Sequence, residues 1–400
     1  MKCKFFSLLI LLILTTSCGK NEHFNDRDND PVNTSSFHVN NHQILKNNIP
    51  FQVKGVVYVP GYPGLLPWEI ENSTSLPIAL RNSIFTDIQN IKAMGANTIR
   101  FWGAPKFCYE ALKIVGDLNF IQVIWIQGDV PDFQSPEFKS STKEYIREVI
   151  DRIYSVFHDG SPPLVAITIG NELSESSILS TDAAHPEVHH FSGDYIVTDS
   201  NITATEAFIA EMADYARSYE WTTYGHKSLL TYSNEIRTAD ILDVPFLDFI
   251  SHNAYSYAVP YYRPNTAPGS SSGTLFQGWI EELKSNHPDQ PLLITETGLS
   301  ISPNASHVGP PNYGYGGNTE LEQATGLLQN LHDIQTAALP LAGVCIHEYL
   351  DSWWKFGLED SYSQDPNDIE EWFGIVKLKQ QGDWYNTEFR SSYDSLKNYW

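Results

Sequence analysis

Short runs of branched apolar residues recur along this chain, and between them apolar side chains return at helical spacing. The runs Phe51–Val59, Ala96–Trp102, Phe120–Gln127, Leu164–Glu172, Ser228–Ser233, Phe246–Tyr255, Pro291–Gly298 and Leu341–Tyr349 read as strands buried on both faces. The intervening pattern predicts helices over Ile84–Met94, Ala104–Val115, Thr142–Phe157, Thr203–Glu220, Leu275–Ser285 and Glu320–Thr336. A short helical return is expected near Thr238, and a last helix over Ser391–Tyr399. Strand followed by helix, repeated through one continuous chain, predicts an α/β fold, a (β/α)8 TIM barrel spanning residues 36–400. No Gly-x-Gly-x-x-Gly follows the first strand, which counts against a dinucleotide-binding sheet. Ahead of the barrel, Phe37-His38-Val39 and Gln43-Ile44-Leu45 are separated and followed by Asn pairs, the pattern of a small β-hairpin plugging the barrel's bottom.

The segments after the strands are long. Residues 173–202, 257–273, 299–319 and 351–373 are expected to be loops rising from one barrel face, where such insertions commonly build a site. Two apolar runs end in carboxylates on that face. Leu164 to Gly170 is followed by Asn171-Glu172, and Pro291 to Thr295 by Glu296. A buried strand has no use for such side chains, so its last residues are the candidates for chemistry. A carboxylate pair at a barrel mouth suits glycoside hydrolysis, one group acting as nucleophile and the other as proton donor. Each alone could be a solvated strand-end carboxylate.

Composition adds limits. The 400 residues are 42% hydrophobic, enough for one large core, and the net charge of −23 without a Lys/Arg cluster argues against nucleic acid as a partner. The basic start Met1 to Lys4 and the apolar Phe5 to Leu14 read as a secretory signal. Leu14-Thr15-Thr16-Ser17-Cys18 resembles a bacterial lipoprotein signal, with its apolar residue four rather than three positions before the Cys; an ordinary export signal is the alternative. The resemblance implies lipidation at Cys18 after a signal over 1–18, a polar tether over 19–35, and an exported protein held at a bacterial membrane, the outer one, through its lipid alone. Oligomeric state is not legible. Cys108 and Cys345 read as buried free thiols, and no Cys/His metal spacing is present, so neither cofactor nor metal is expected.

Asn171-Glu172 after strand four and Glu296 after strand seven resemble the glycoside hydrolases of clan A. The likeness extends from Phe51 to the C-terminus. Phe51 to Tyr58 resembles the first strand of family 2 catalytic domains and of family 72 β-1,3-glucanosyltransferases, whereas Ile346-His347-Glu348-Tyr349 and the later Trp372-Phe373-Gly374 fit neither. The resemblance implies a retaining β-glycosidase acting on a β-linked oligo- or polysaccharide, with transglycosylation as an option. Glu296 would be the nucleophile and Glu172 the acid/base. Asn171 would bind the sugar 2-hydroxyl, Arg100 and Tyr255 would support the nucleophile, and Trp353 or Trp354 would floor the sugar site. His252 is a weaker supporting candidate. Arg100, Tyr255 and the Trp pair each have a purely structural alternative, as ion-pair partner or core aromatics. Two other functions compete: a non-catalytic carbohydrate-binding lipoprotein on the same barrel, and a metal-dependent hydrolase built on His252 and His347.

Overall fold

The computed structural model describes residues 35–158, 160–264, 269–270, 272–355, 362–381 and 384–400. The expected signal with Cys18, and the tether up to residue 34, lie outside the described residues.

Eight parallel strands close into a barrel in simple sequential order. They are Val53–Val57, Thr98–Phe101, Asn119–Ile124, Leu164–Asn171, Leu229–Asn234, Ile250–Asn253, Leu292–Thr297 and Gly343–Ile346, called barrel strands one to eight below. Strand eight pairs with strand one, Gly343 opposite Val53, so no sheet edge is left open. Helices Ile78–Ala93, Lys106–Val115, Pro136–Val156, Ala204–Tyr224, Leu275–Asn286, Glu320–Thr336 and Ser391–Tyr399 surround it. Local chemistry starts and stops them. Thr203 accepts from the Glu206 amide while the Glu206 carboxylate receives the Thr203 N–H, and Gly225 at φ +65° ends that helix in the left-handed conformation. Thr319 and Glu322 make the same reciprocal pair ahead of the helix after strand seven.

The barrel interior changes character along its axis. Near the strand starts, Val53, Val165, Leu229 and Leu293 form one apolar cluster with Phe37 and Ile44 of the N-terminal segment. That segment is three antiparallel strands, Phe37–Asn40, Gln43–Lys46 and Ile49–Pro50, one more than the expected hairpin, and it covers the bottom as predicted. Near the strand ends the inward positions become polar: Arg100, Asn171, Ser233, Ser251, Asn253 and Glu296 are all buried. Buried polar groups need partners, and these supply one another.

Two expectations fail locally. The turn of helix near Thr238 is a series of tight turns instead, because the Asn234 side chain takes the backbone over: its Oδ1 accepts from the Glu235 amide and the Thr238 hydroxyl, and its Nδ2 donates to the Leu242 carbonyl. The long segments on the site face are partly ordered into secondary structure. Within them Glu175–Ala184 and Ala258–Tyr262 are short helices; outside them, Pro67–Glu71 is a further short helix after strand one, and the strands Val376–Gln381 and Trp384–Phe389 form a hairpin after the strand-eight loop. Cys108 and Cys345 are buried and not disulfide-bonded.

Closure of the barrel depends on Gly343. Its φ is +133°, and a Cβ there would lie 2.2 Å from the Val53 carbonyl oxygen. Gly343→Ala is therefore expected to cost about 3 kcal/mol or more. Thermal unfolding would read this as a lowered Tm; an unchanged Tm would mean that the pairing of strands one and eight tolerates a side chain.

Candidate active site

Both carboxylate-bearing strands leave regular pairing where the carboxylates stand. The register of strand four against strand five shifts between Thr168 and Asn171, and that of strand seven against strand six shifts between Ile294 and Glu296. Such irregularities redirect side chains, and they gather at sites. Gly170 at φ +86° permits the turn, and Glu172 follows at φ +46°, a backbone conformation that a glutamate holds only under constraint. Its amide donates to the Ser233 carbonyl oxygen at 3.0 Å, and the amide of the next residue, Leu173, is capped by the Tyr232 hydroxyl at 2.9 Å.

Both side chains line a cleft of about 1260 Å3 at the strand ends. Their surroundings differ. Glu296 is buried, with the Arg100 guanidinium donating to one oxygen and the Tyr255 hydroxyl to the other at 2.7 Å. Burial and the charge of Glu296 hold the Tyr255 hydroxyl far above its usual pKa, so it remains a donor. Among the described residues, Glu172 receives only an amide N–H, from Asn253 at 2.8 Å. Withdrawal from water, reinforced by the charges of Glu296 and Glu235 and opposed by Asn253 and Arg237, pushes its carboxyl pKa up to about 8.

Arg100 sets the orientation of the amides between them. Guanidinium groups only donate, so the Asn171 atom 2.7 Å from Arg100 Nη2 must be its carbonyl oxygen. The atom that Asn253 turns to that oxygen at 3.1 Å must then be its NH2, the same group that faces Glu172 Oε1. The Thr295 hydroxyl holds the other end of the Asn253 amide at 2.8 Å. Two consequences follow. Asn171 Nδ2 has no hydrogen-bond partner among the described residues, and the proton of a protonated Glu172 sits on Oε2, the oxygen that Asn253 does not occupy.

A second chain of contacts reaches Glu296 from strand eight. Lys355 Nζ lies 3.2 Å from His347 Nε2, and an ammonium can only donate, so the imidazole proton belongs on Nδ1, 3.5 Å from Glu296 Oε2. Burial, and the charges of Lys355 and Arg100, press the His347 pKa well down and keep the ring neutral. The ring stacks on Trp102 at 5.4 Å.

The structure thus brings Glu172, Glu296, Arg100, Asn171 and Tyr255 together and leaves two expected residues out. His252 points away from the cleft: its ring meets Trp279 of the helix Leu275–Asn286 edge-on at 5.6 Å, and Nδ1 lies 3.0 Å from its neighbour's carbonyl oxygen. Burial there lowers its pKa to about 4, and it is not among the residues that line the cleft. Trp353 packs edge-on against Tyr385 at 5.9 Å, so Trp354 is the tryptophan of that pair in the cleft. Sequence reasoning passed over Ser233, Asn253 and Lys355, as well as Trp68, Trp102 and Trp125 on the cleft wall. Among the described residues no group of three or more His, Cys, Asp or Glu side chains is arranged to hold a metal ion.

No protein-family model matches the chain, and no curated protein matches it by sequence. Solved structures do resemble it. A β-glucuronidase from Ruminococcus gnavus superposes with a TM-score of 0.59 at 15% identity, over 91% of this chain and 53% of that one. The same enzyme in complex with D-glucuronic acid gives 0.58. A Bacteroides uniformis β-glucuronidase gives 0.58 at 16% identity, over 84% of this chain and 34% of that one. This chain spans about half the length of the Ruminococcus enzyme or less of its Bacteroides counterpart, and what it shares with both is the eight-stranded parallel barrel.

Proposed function

We propose that this chain is a retaining β-glycosidase acting on a β-linked oligo- or polysaccharide. The observation that carries the reading is the contrast between two carboxyl groups in one cleft. Glu296 is met on both oxygens by donors, one of them a cation, while Glu172 has its pKa raised to about 8 and, among the described residues, a donor on one oxygen alone. Environments that push two acids apart assign them different tasks. Glu296 attacks the anomeric carbon as Glu172 gives its Oε2 proton to the leaving oxygen. A glycosyl ester on Glu296 results, and it is resolved by water or a second sugar whose proton returns to Glu172. Arg100 and Tyr255 hold Glu296 in place, and Asn171 Nδ2 is available to a sugar hydroxyl. The glucuronidase likeness supports a glycosidase fold.

The test is hydrolysis of a panel of β-glucans, β-galactosides and β-mannans, with the first-formed anomer observed by proton NMR. The β-anomer is expected; the α-anomer would mean inversion. Tyr255→Phe removes one donor to the nucleophile and is expected to lower kcat by about 100-fold with KM little changed. Steady-state kinetics on the best substrate checks it, and an unaltered kcat would assign Tyr255 to packing.

The proposal extends to location, on the strength of the basic-apolar start and Cys18 in the sequence: an exported protein lipid-anchored at the outer membrane. In a bacterial host, Cys18→Ser should move the protein from the membrane fraction to the soluble one; persistence in the membrane would remove the anchor.

A further inference from the structure

A sugar carboxylate is held best by a cation with no carboxylate of its own, because a buried ion already paired gains little from a second anion and a carboxylate brought in unpaired loses its hydration. Only Arg237 and Lys355 among the cleft-lining residues are cationic, against five glutamates. Lys355 is buried, with Glu348 Oε1 at 2.8 Å and Glu370 Oε2 at 3.6 Å, two acids for one ammonium. Arg237 is bound through Nε to Glu235 Oε1 at 2.5 Å. Behind the wall, Arg152 holds Glu71 at 3.0 Å, and Arg100, fully buried, is paired with Glu296 and also donates to Asn171 and Ser233. The undescribed stretches between residues 35 and 400 contain no lysine or arginine that could add a cation.

The rest of the lining suits rings without charge. Trp102 and Trp125 lie with centroids 5.2 Å apart on one side, and Trp125 is 45% exposed. Tyr257 and Tyr315, stacked at 4.6 Å, come from the loops after strands six and seven. Aromatic faces hold sugars by apolar contact that a carboxylate does not improve.

We infer that the cleft selects neutral sugars and rejects a sugar carrying a carboxylate, unlike the Ruminococcus enzyme with its bound D-glucuronic acid. This deepens the glycosidase reading and rests on it for the identity of the ligand as a sugar. The selectivity is electrostatic: among the described residues each cation at the cleft already has a carboxylate partner, and Lys355 has two, so a uronate gains no unpaired cation in exchange for its hydration.

Binding separates this inference from the catalytic reading. Glu172→Gln keeps the charge of the protonated acid and is titrated by calorimetry at about pH 6 with gluco-, galacto- and manno-configured β-linked disaccharides and with the uronic acid counterpart of each. The unmodified chain is assayed in parallel on the same pairs. At least one neutral disaccharide is expected to bind and to be turned over, its uronic counterpart at least about tenfold less well. Freeing Arg237 by Glu235→Gln should narrow that gap. A uronic sugar that binds as well as its neutral partner, a failure of both kinds to bind, or a gap that Glu235→Gln leaves untouched would each overturn the inference. Neutral binding with the expected gap but no turnover by the unmodified chain would overturn the catalytic reading and leave the selectivity standing.

Discussion

Glu296→Gln is expected to lower turnover by at least about 10⁴-fold while leaving the fold intact, because the change removes the carboxylate proposed to form the covalent ester. Glutamine is nearly isosteric: its one carbonyl oxygen can accept from Arg100, and its NH2 can donate to the Tyr255 hydroxyl oxygen, where the carboxylate now accepts from both. KM should therefore move much less than kcat. With Glu296→Gly instead, the space vacated admits a small anion, and azide is expected to restore part of the rate by attacking in place of the carboxylate. The product would be the α-glycosyl azide, since one displacement replaces two. Activity within tenfold of the parent for Glu296→Gln, or a β-azide from the glycine variant, would remove Glu296 from the nucleophile's role.

Glu172→Gln has the second largest expected effect, roughly 10² to 10⁴ in kcat/KM, and its size should depend on the leaving group. A sugar alcohol departs only when protonated and should show the full loss, whereas an acidic phenol departs unaided and should show little in the first step. The pH profile carries a second signature. On the proposed mechanism Glu172 works as an acid only while protonated, and with its pKa near 8 activity should fall as pH rises through that value. In Glu172→Gln the limb should disappear. Stability moves in the same sense. A carboxyl whose folded pKa lies above its ordinary 4.5 favours the fold in its protonated form, so its contribution is full below about 4.5 and is lost as pH climbs to about 8. The Tm advantage of Glu172→Gln over the parent should therefore grow between pH 5 and pH 9. A Tm difference independent of pH would place Glu172 in water.

The barrel could be read in the sequence because its strands are buried on both faces and appear as near-continuous apolar runs, such as Val165 to Ile169. Asn171, Glu172 and Glu296 stood out for the converse reason: each ends such a run with a side chain that the run itself does not explain. Arg100, inside Thr98–Phe101, is legible only through the resemblance to clan A glycoside hydrolases, because it does not end its run. His252 was misplaced although the alternation along Ile250–Asn253 contained the correction. Ser251 and Asn253 share the inward face with the polar layer, which sends His252 outward to Trp279. Between Trp353 and Trp354 no such period applies, since a loop has none. The link from Lys355 through His347 to Glu296 was hidden for another reason. A lone lysine after a tryptophan pair reads as surface, and only the packing of the loop against strand eight buries it between Glu348 and Glu370.

The central claim is that Glu296 becomes covalently bonded to a sugar while Glu172 manages the proton. A 2-deoxy-2-fluoro β-glycoside with a good leaving group, matched to the best neutral substrate, slows breakdown of that ester more than its formation. Intact-mass and peptide-level mass spectrometry after incubation should find one fluorosugar per chain, on the peptide containing Glu296, with activity lost in proportion and recovered on adding an acceptor sugar. A label on another residue, or a chain that turns over its natural substrate yet takes no label, would contradict the account.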